Sequence, residues 1–217
     1  MAKAAAAKKA KKAAGSTRVS VTAPVYAVAK QKKVWLTFDD GPHPTNTNKV
    51  LATLAKHDIK ATFFVLGENA KSRLALVKAA FDAGHRIGNH SYSHPNLTTL
   101  SAANVKSEIV KTEAIIKAYL GEHKLFRPPY GAHNATVDGI ISSLNYRSIF
   151  WNVDTEDWKA ANKPTKWITV GINQIKTRDD CRVLNHDIHP TTANNLDTFI
   201  QRIKSLGNVV FMSPADL

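Results

Sequence analysis

A chain of 217 residues with a formal net charge of +13 is long enough for one domain with a substantial core and gives little reason to expect two. No apolar run approaches the ~20 residues that a membrane-spanning helix needs, so a transmembrane segment is not expected. The single cysteine, Cys181, excludes an intrachain disulfide and a thiolate metal cluster.

The charge is uneven. Residues 1–33 hold nine Lys or Arg and no acid, and without those nine the net charge falls to +4. The opening MAKAAAAKKAKKAAG is low-complexity Ala/Lys. Its composition favours a solvated, partly disordered segment over residues 1–32. A second reading is a polybasic arm drawn to anionic polymer, such as a cell-wall polyanion, nucleic acid or anionic lipid. Ala4–Ala7 is too short and too weakly apolar for a signal-peptide core, so no signal peptide is expected within this stretch. The body is only mildly basic, which argues against nucleic-acid recognition as its core function.

From Lys33 onward, short apolar strands alternate with amphipathic helices. Val34–Phe38 predicts a buried strand, and TNKVLATLAKHD a helix with Val50, Leu51, Leu54 and Ala55 on one face. ATFFVLG is a second strand, followed by one helix over NAKSRLALVKAAFDAG that Gly84 closes. HRIGNH is a short third strand. A long helix then begins at Ser101, a suitable N-cap, and runs to Gly121. KLFRPP is the fourth strand, NATVDGIISSLN a helix and YRSIFWNV a single fifth strand. A helix over PTKWITVGINQIKT, a sixth strand CRVLNH, a helix over TTANNLDTFIQRIKSLG and a seventh strand NVVFMS complete the chain. Repeated strand–helix units without hairpins imply a parallel sheet covered by helices, either an incomplete (β/α) barrel or a doubly wound open sheet. In both, reactive groups gather at the C-terminal ends of the strands.

The reactive residues follow that rule. Asp39-Asp40 ends the first strand, Asn89-His90 the third, Arg127 the fourth and His186-Asp187 the sixth, while Asp154 and Asp157 follow the fifth. This clustering predicts one catalytic mouth.

Within LTFDDGPHPT, Asp39 and Asp40 are adjacent, and neighbours leaving a strand point in opposite directions. His90 and His94 are spaced i, i+4, which on a helical turn puts both imidazoles on one face. With Asp40 they make a two-His, one-carboxylate set that leaves a position open for water, as in catalytic zinc sites; Fe(II), Co(II) or Ni(II) suit the same donors. Asp39, pointing elsewhere, is then free to act as a general base. Arg127 near Asp39 would orient it and favour its charged form. In FRPPYGAHN the stiff prolines would aim the backbone N–H of Tyr130 at a developing oxyanion. His186 paired with Asp157 makes a proton donor, because the carboxylate raises the imidazole pKa. Trp158 offers a flat wall of the kind that sugar rings stack on, and VLNHDIHP sets Leu184 and His189 beside His186.

At these residues the chain resembles the polysaccharide deacetylases, carbohydrate esterase family 4, with the nodulation-factor deacetylase homology domain. Five stretches carry the resemblance in family order: Thr37-Phe38-Asp39-Asp40-Gly41-Pro42, His90-Ser91-Tyr92-Ser93-His94, Arg127-Pro128-Pro129-Tyr130, Asp154-Thr155-Glu156-Asp157-Trp158 and Leu184-Asn185-His186. The likeness runs from about Lys33 to Leu217. It implies a distorted (β/α)7-8 barrel forming a single catalytic domain over 33–217. It implies one divalent metal ion, usually Zn2+ with Co2+ and others also suitable, and removal of acetyl from N-acetylglucosamine units of chitin-type chains or peptidoglycan glycan. By the same resemblance Asp39 is the base, and Asp40, His90 and His94 are the metal ligands. Arg127 orients Asp39, the Tyr130 amide serves the oxyanion, Asp157 tunes the acid His186, and Trp158 and Leu184 line the acetyl pocket. Asn185 is more polar than the apolar residue the pattern favours. The resemblance further implies a secreted or cell-envelope enzyme acting on an acetylated glycan; a monomer is expected. The alternatives are an O-deacetylase acting on acetylated xylan through the same site, and a carbohydrate-binding relative without catalysis.

Overall fold

The computed structural model describes residues 30–217. The reading of residues 1–32 as a basic, partly disordered segment therefore lies outside the described residues but for its last three.

Among the described residues, eight strands and seven α-helices follow one another. Strand β1 (Lys32–Asp39) runs through the middle of the sheet, and its last four residues are buried on both faces, as expected where helices cover a parallel sheet. Helix α1 (Asn46–His57) leads to β2 (Thr62–Val65), and helices α2 (Gly67–Ser72) and α3 (Leu74–Asp82) to β3 (Arg86–Asn89). Helix α4 (Ala102–Ile116) precedes β4 (Lys124–Phe126), and α5 (Ala135–Ser143) precedes β5 (Tyr146–Ser148) and β6 (Val153–Asp154). Helix α6 (Lys166–Lys176), β7 (Asp180–His186), α7 (Pro190–Lys204) and β8 (Val209–Phe211) follow. The strand order is β5-β4-β3-β2-β1-β7-β6, with β8 paired to the start of β1, and these pairings are parallel.

The expected single fifth strand over 146–153 is two strands on opposite edges of the sheet, β5 beside β4 and β6 beside β7. Only Ile149–Asn152 link them. A flat sheet in this order would hold its edges roughly 29 Å apart, whereas the link reaches at most about 18 Å. The sheet must therefore curl into a barrel with a gap at this link. Hydrogen bonds hold both sides of the gap: Ile149 N donates to Phe126 O at 2.8 Å and Asn152 N to Arg182 O at 3.1 Å. Without a neighbouring strand, the Ile149 and Phe150 carbonyls accept from Arg127 Nε and Arg182 Nε, each at 3.0 Å. The apolar run Ile149-Phe150-Trp151 hid this break, because a buried strand and a buried crossing look alike in sequence.

The expected helix over 69–84 is likewise two, interrupted at Arg73 (φ −138°, ψ 36°). The first of the pair is tied to neighbouring loops rather than to the second. Gly67 N donates to Ser91 O at 3.0 Å, and a Cβ on Gly67 would meet Thr112 Oγ1 at 2.4 Å, so only glycine allows this approach. Ser101 caps α4 as expected, accepting from Asn104 N. The α-helix ends at Ile116, short of Gly121, and continues as a 3-10 turn over Lys117–Tyr119.

The outer core lies between the sheet and its helices, where Val34, Leu36 and Phe38 meet Trp167, Phe199 and Leu196. Each such side chain contributes about 1.5–3 kcal/mol by burial. The opposite face of β1 turns into the barrel. Across the β1–β7 pairing the partners are Trp35 with Arg182, Thr37 with Leu184, and Asp39 with His186. The interior thus becomes more reactive toward the C-terminal end, where the site lies.

Candidate active site

Strand alternation predicts that Asp39 and Asp40 diverge, but both carboxylates line the same cavity. The alternation stops where the strand does. Asp40 has φ 72°, a left-handed conformation that Asp tolerates better than most residues, and this swings its side chain back toward the mouth. Asn69 Nδ2 donates to the Asp40 carbonyl at 2.8 Å and holds the turned peptide.

Arg127, fully buried at the end of β4, meets Asp39 from inside the barrel. Its Nη1 donates to Asp39 Oδ1 and to Thr37 Oγ1, each at 2.8 Å, and its guanidinium lies 4.1 Å from the centre of the Phe64 ring. Burial lowers the guanidinium pKa, and the Asp39 charge works against that effect.

His90 Nδ1 lies 2.6 Å from the Arg127 carbonyl. A carbonyl only accepts, so Nδ1 carries the proton and Nε2 presents its lone pair. That Nε2 stands 3.4 Å from Asp40 Oδ1 and 3.7 Å from Asp39 Oδ2. His94 Nε2 is 3.5 Å from the same Asp40 oxygen. The i, i+4 spacing does not act through a helical turn. The segment is an irregular loop in which Ser91 (φ 70°) and His94 (φ 60°) are left-handed. Asn89 Oδ1 accepts from Ser91 N at 2.9 Å, and Ser91 Oγ accepts from His94 N at 3.1 Å. Glu108, on α4, accepts from the N–H groups of Tyr92 and Ser93 at 2.9 and 2.8 Å and from Ser93 Oγ at 3.1 Å. Sequence reasoning missed Glu108, because an acid within an amphipathic helix carries no local mark of its role.

His186 closes the opposite wall. Its Nδ1 is 2.7 Å from Asp157 Oδ1, while Asp157 Oδ2 accepts from His186 N at 2.8 Å and from the Thr192 hydroxyl. Burial lowers the His186 pKa, but the Asp157 hydrogen bond and charge, with Asp40 and Asp39 behind them, outweigh it and leave the imidazolium at about 9.

The cavity has a volume of about 370 Å³. Leu184 is buried in its wall, Trp158 is 47% exposed beside it and Tyr130 is 68% exposed. Trp151, which sequence reasoning did not single out, also lines it. Its ring lies so close to Gly131 (φ 65°) that a Cβ there would stand 3.0 Å away. Asp154 and His189 complete the lining; burial raises the pKa of the first and lowers that of the second. Asn185 faces away from the cavity, and its Nδ2 donates to Thr37 O at 3.3 Å, so its polarity does not disturb the pocket wall.

Asp40, His90 and His94 bring one ligand atom each within 4.8 Å of one another. Asp40 Oδ1 is buried and has no hydrogen-bond donor, although two imidazole nitrogens face it. An orphaned carboxylate oxygen and a bare Nε2 turned toward the same point fit a divalent cation.

The chain matches the family model "Polysaccharide deacetylase" over residues 27–149. It is 43% identical to the peptidoglycan-N-acetylglucosamine deacetylase PgdA of Listeria monocytogenes over 87% of its length, and spans 40% of that relative. Its fold matches the peptidoglycan deacetylase PdaC of Bacillus subtilis with a TM-score of 0.73 and 35% identity, covering 86% of this chain and 89% of that one. It also matches BA3943 of Bacillus anthracis, described as a pseudoenzyme of carbohydrate esterase family 4, with a TM-score of 0.70 and 33% identity over 82% of this chain and 62% of that one.

Proposed function

The chain belongs to the polysaccharide deacetylase family, and from that premise we propose that it is a metal-dependent hydrolase removing acetyl groups from N-acetylglucosamine units of peptidoglycan glycan. One observation carries the reading. Asp39 and His186 are register partners at the ends of adjacent parallel strands, and each is held by its own counter-charge, Arg127 for the first and Asp157 for the second. A base and an acid thus face one cavity that also holds the Asp40–His90–His94 set.

Zn2+ suits two imidazoles and a carboxylate, and Co2+ the same donors. Such an ion supplies Lewis-acid polarisation of the acetyl carbonyl and an acidified water. Asp39 receives the proton of the attacking water at Oδ2, because Oδ1 is engaged by Arg127. The Tyr130 backbone N–H stabilises the oxyanion, while Leu184 and Trp158 wall the acetyl methyl. Asp157 holds the proton on His186 Nδ1, so His186 donates from Nε2 to the leaving nitrogen. Amide and water become acetate and amine with no further reactant. The substrate places the enzyme at the cell envelope or outside it, and no helix among the described residues is long and apolar enough to cross a membrane.

The test is acetate release from purified peptidoglycan glycan, N-acetylglucosamine oligomers and acetylated xylan, with and without a chelator. The proposal expects chelator-sensitive release from peptidoglycan glycan. Release from xylan alone would make the enzyme an O-deacetylase, and binding without release would place it with the pseudoenzymes.

A further inference from the structure

Behind the mouth, the connections that follow β1 and β7 meet along a seam that none of the roles above uses. Asp187, next to His186, is fully buried. Its Oδ2 accepts from the Thr47 hydroxyl, and its Oδ1 has no hydrogen-bond partner. Both oxygens press on the backbone of Gly41: a Cβ there would stand 2.4 Å from Oδ1 and 2.5 Å from Oδ2. Thr47 Oγ1 in turn accepts from the His43 N–H at 2.8 Å, and Asn46 Nδ2 donates to Ile188 O at 2.8 Å. The segment after Asp40 is thereby fastened to the segment after His186.

A buried acceptor without a partner costs about 1–3 kcal/mol. Phe63, Val65 and Val77 surround a small void beside the carboxyl, so an apolar side chain would suit these surroundings better. Core stability therefore does not account for Asp187. Its position does: Gly41 is covalently joined to Asp40 and Asp187 to His186, so their contact is one residue from each side of the reaction.

We infer that Asp187, seated on Gly41 and tied to Thr47, is a positioning residue that sets the spacing between the Asp39–Asp40 pair and His186. The inference rests on the function proposed above. Catalysis depends steeply on such spacing, and a displacement of about 1 Å costs roughly 10²-fold in rate. Glycine at 41 is required for the close approach, and the Thr47 hydroxyl fixes which way the carboxyl faces. Burial raises the Asp187 pKa to about 7, which makes asparagine the conservative replacement.

The experiment compares wild type with Asp187→Asn, Asp187→Leu and Thr47→Val. Zinc affinity by calorimetry, kcat and KM for acetate release, and thermal stability are measured for each. Asp187→Asn is expected to stay within about 3-fold of wild type in kcat, since its oxygen still accepts from Thr47. Asp187→Leu is expected to lose at least ~10-fold in kcat and to bind zinc more weakly, with KM changed far less and the fold retained. Thr47→Val should move in the same direction by a smaller factor. Wild-type kcat and zinc affinity in Asp187→Leu would overturn the inference. If that variant does not fold, unchanged kcat and zinc affinity in Thr47→Val would do so. Zinc binding by wild type without acetate release from any glycan would refute the proposed function, and zinc affinity would still read the seam.

Discussion

His186 and Asp157 are locked together through both the ring and the backbone: one carboxylate oxygen takes the imidazole Nδ1 at 2.7 Å and the other the His186 amide at 2.8 Å. In the proposed mechanism this pair sets the alkaline limb of activity. His186 acts as an acid only while protonated, so the rate should fall as pH rises through about 9.

Asp157→Asn removes the anion and leaves burial as the dominant influence. The alkaline limb of kcat against pH should then move down by at least ~1 unit. An unmoved limb would show that another group donates the proton. Stability should report the same linkage. The folded-state pKa lies above the ordinary value, so the wild-type contribution is fully present below about pH 6.5. It is lost as pH rises through about 9, and Asp157→Asn should flatten that loss in thermal melts.

The metal assignment predicts one divalent ion per chain. His94→Ala should lose most bound zinc in elemental analysis, because two of the three converging ligands cannot hold the ion as tightly. Chelation should abolish activity, and zinc or cobalt should restore it. Undiminished zinc in His94→Ala would remove that residue from the ligand set.

Arg127 offers a test of burial against charge. Arg127→Ala leaves Asp39 without its counter-charge in a dry interior and strips the donor from Ile149 O, at a cost of about 3–5 kcal/mol. Arg127→Lys restores the charge but not the fork that reaches Thr37, Asp39 and Ile149 together. Chemical denaturation should therefore rank wild type above the lysine variant and the lysine variant above alanine. Equal midpoints would mean that the guanidinium contributes nothing to the barrel.

What the sequence made legible follows from how its signals arise. Parallel β-α units leave a strong periodic trace, and reactive residues at strand ends stand out against the apolar runs that precede them. The convergence of Asp39, Asp40, Arg127, Asp157 and His186 was therefore readable. The irregular backbone was not. Positive φ at Asp40, Ser91 and His94 has no glycine to announce it, so the two carboxylates were expected to diverge and the histidines to share a helical turn. The gap in the barrel was hidden because the crossing itself carries the apolar run Ile149-Phe150-Trp151, which looks like the middle of a buried strand. Glu108 and Trp151 act on residues far from them in sequence, where only the fold makes them neighbours.

Glu108 gives the last prediction. Its carboxylate accepts three hydrogen bonds from Tyr92 and Ser93, in the middle of the loop that carries His90 and His94. Gly67 N and Glu68 N at the start of α2 donate to Ser91 O and Tyr92 O, and Asn89 and Ser91 brace the loop from within, so the Glu108 bonds share with these the placing of His94. His90 should be affected less, because Arg127 O anchors its ring independently. Glu108→Ala should therefore weaken zinc binding on the order of 10-fold or more, as loss of outer supports does in other metal sites. Glu108→Gln keeps one carbonyl oxygen for the amides and should recover part of that affinity. The helix itself should survive, since alanine is a good helix former and Glu108 is only partly buried. Calorimetry of zinc binding beside circular dichroism separates the two effects. A folded Glu108→Ala with wild-type zinc affinity would show that the loop holds its shape without the carboxylate, and that its remaining hydrogen bonds, to Gly67, Glu68, Asn89 and Ser91, suffice to place His94.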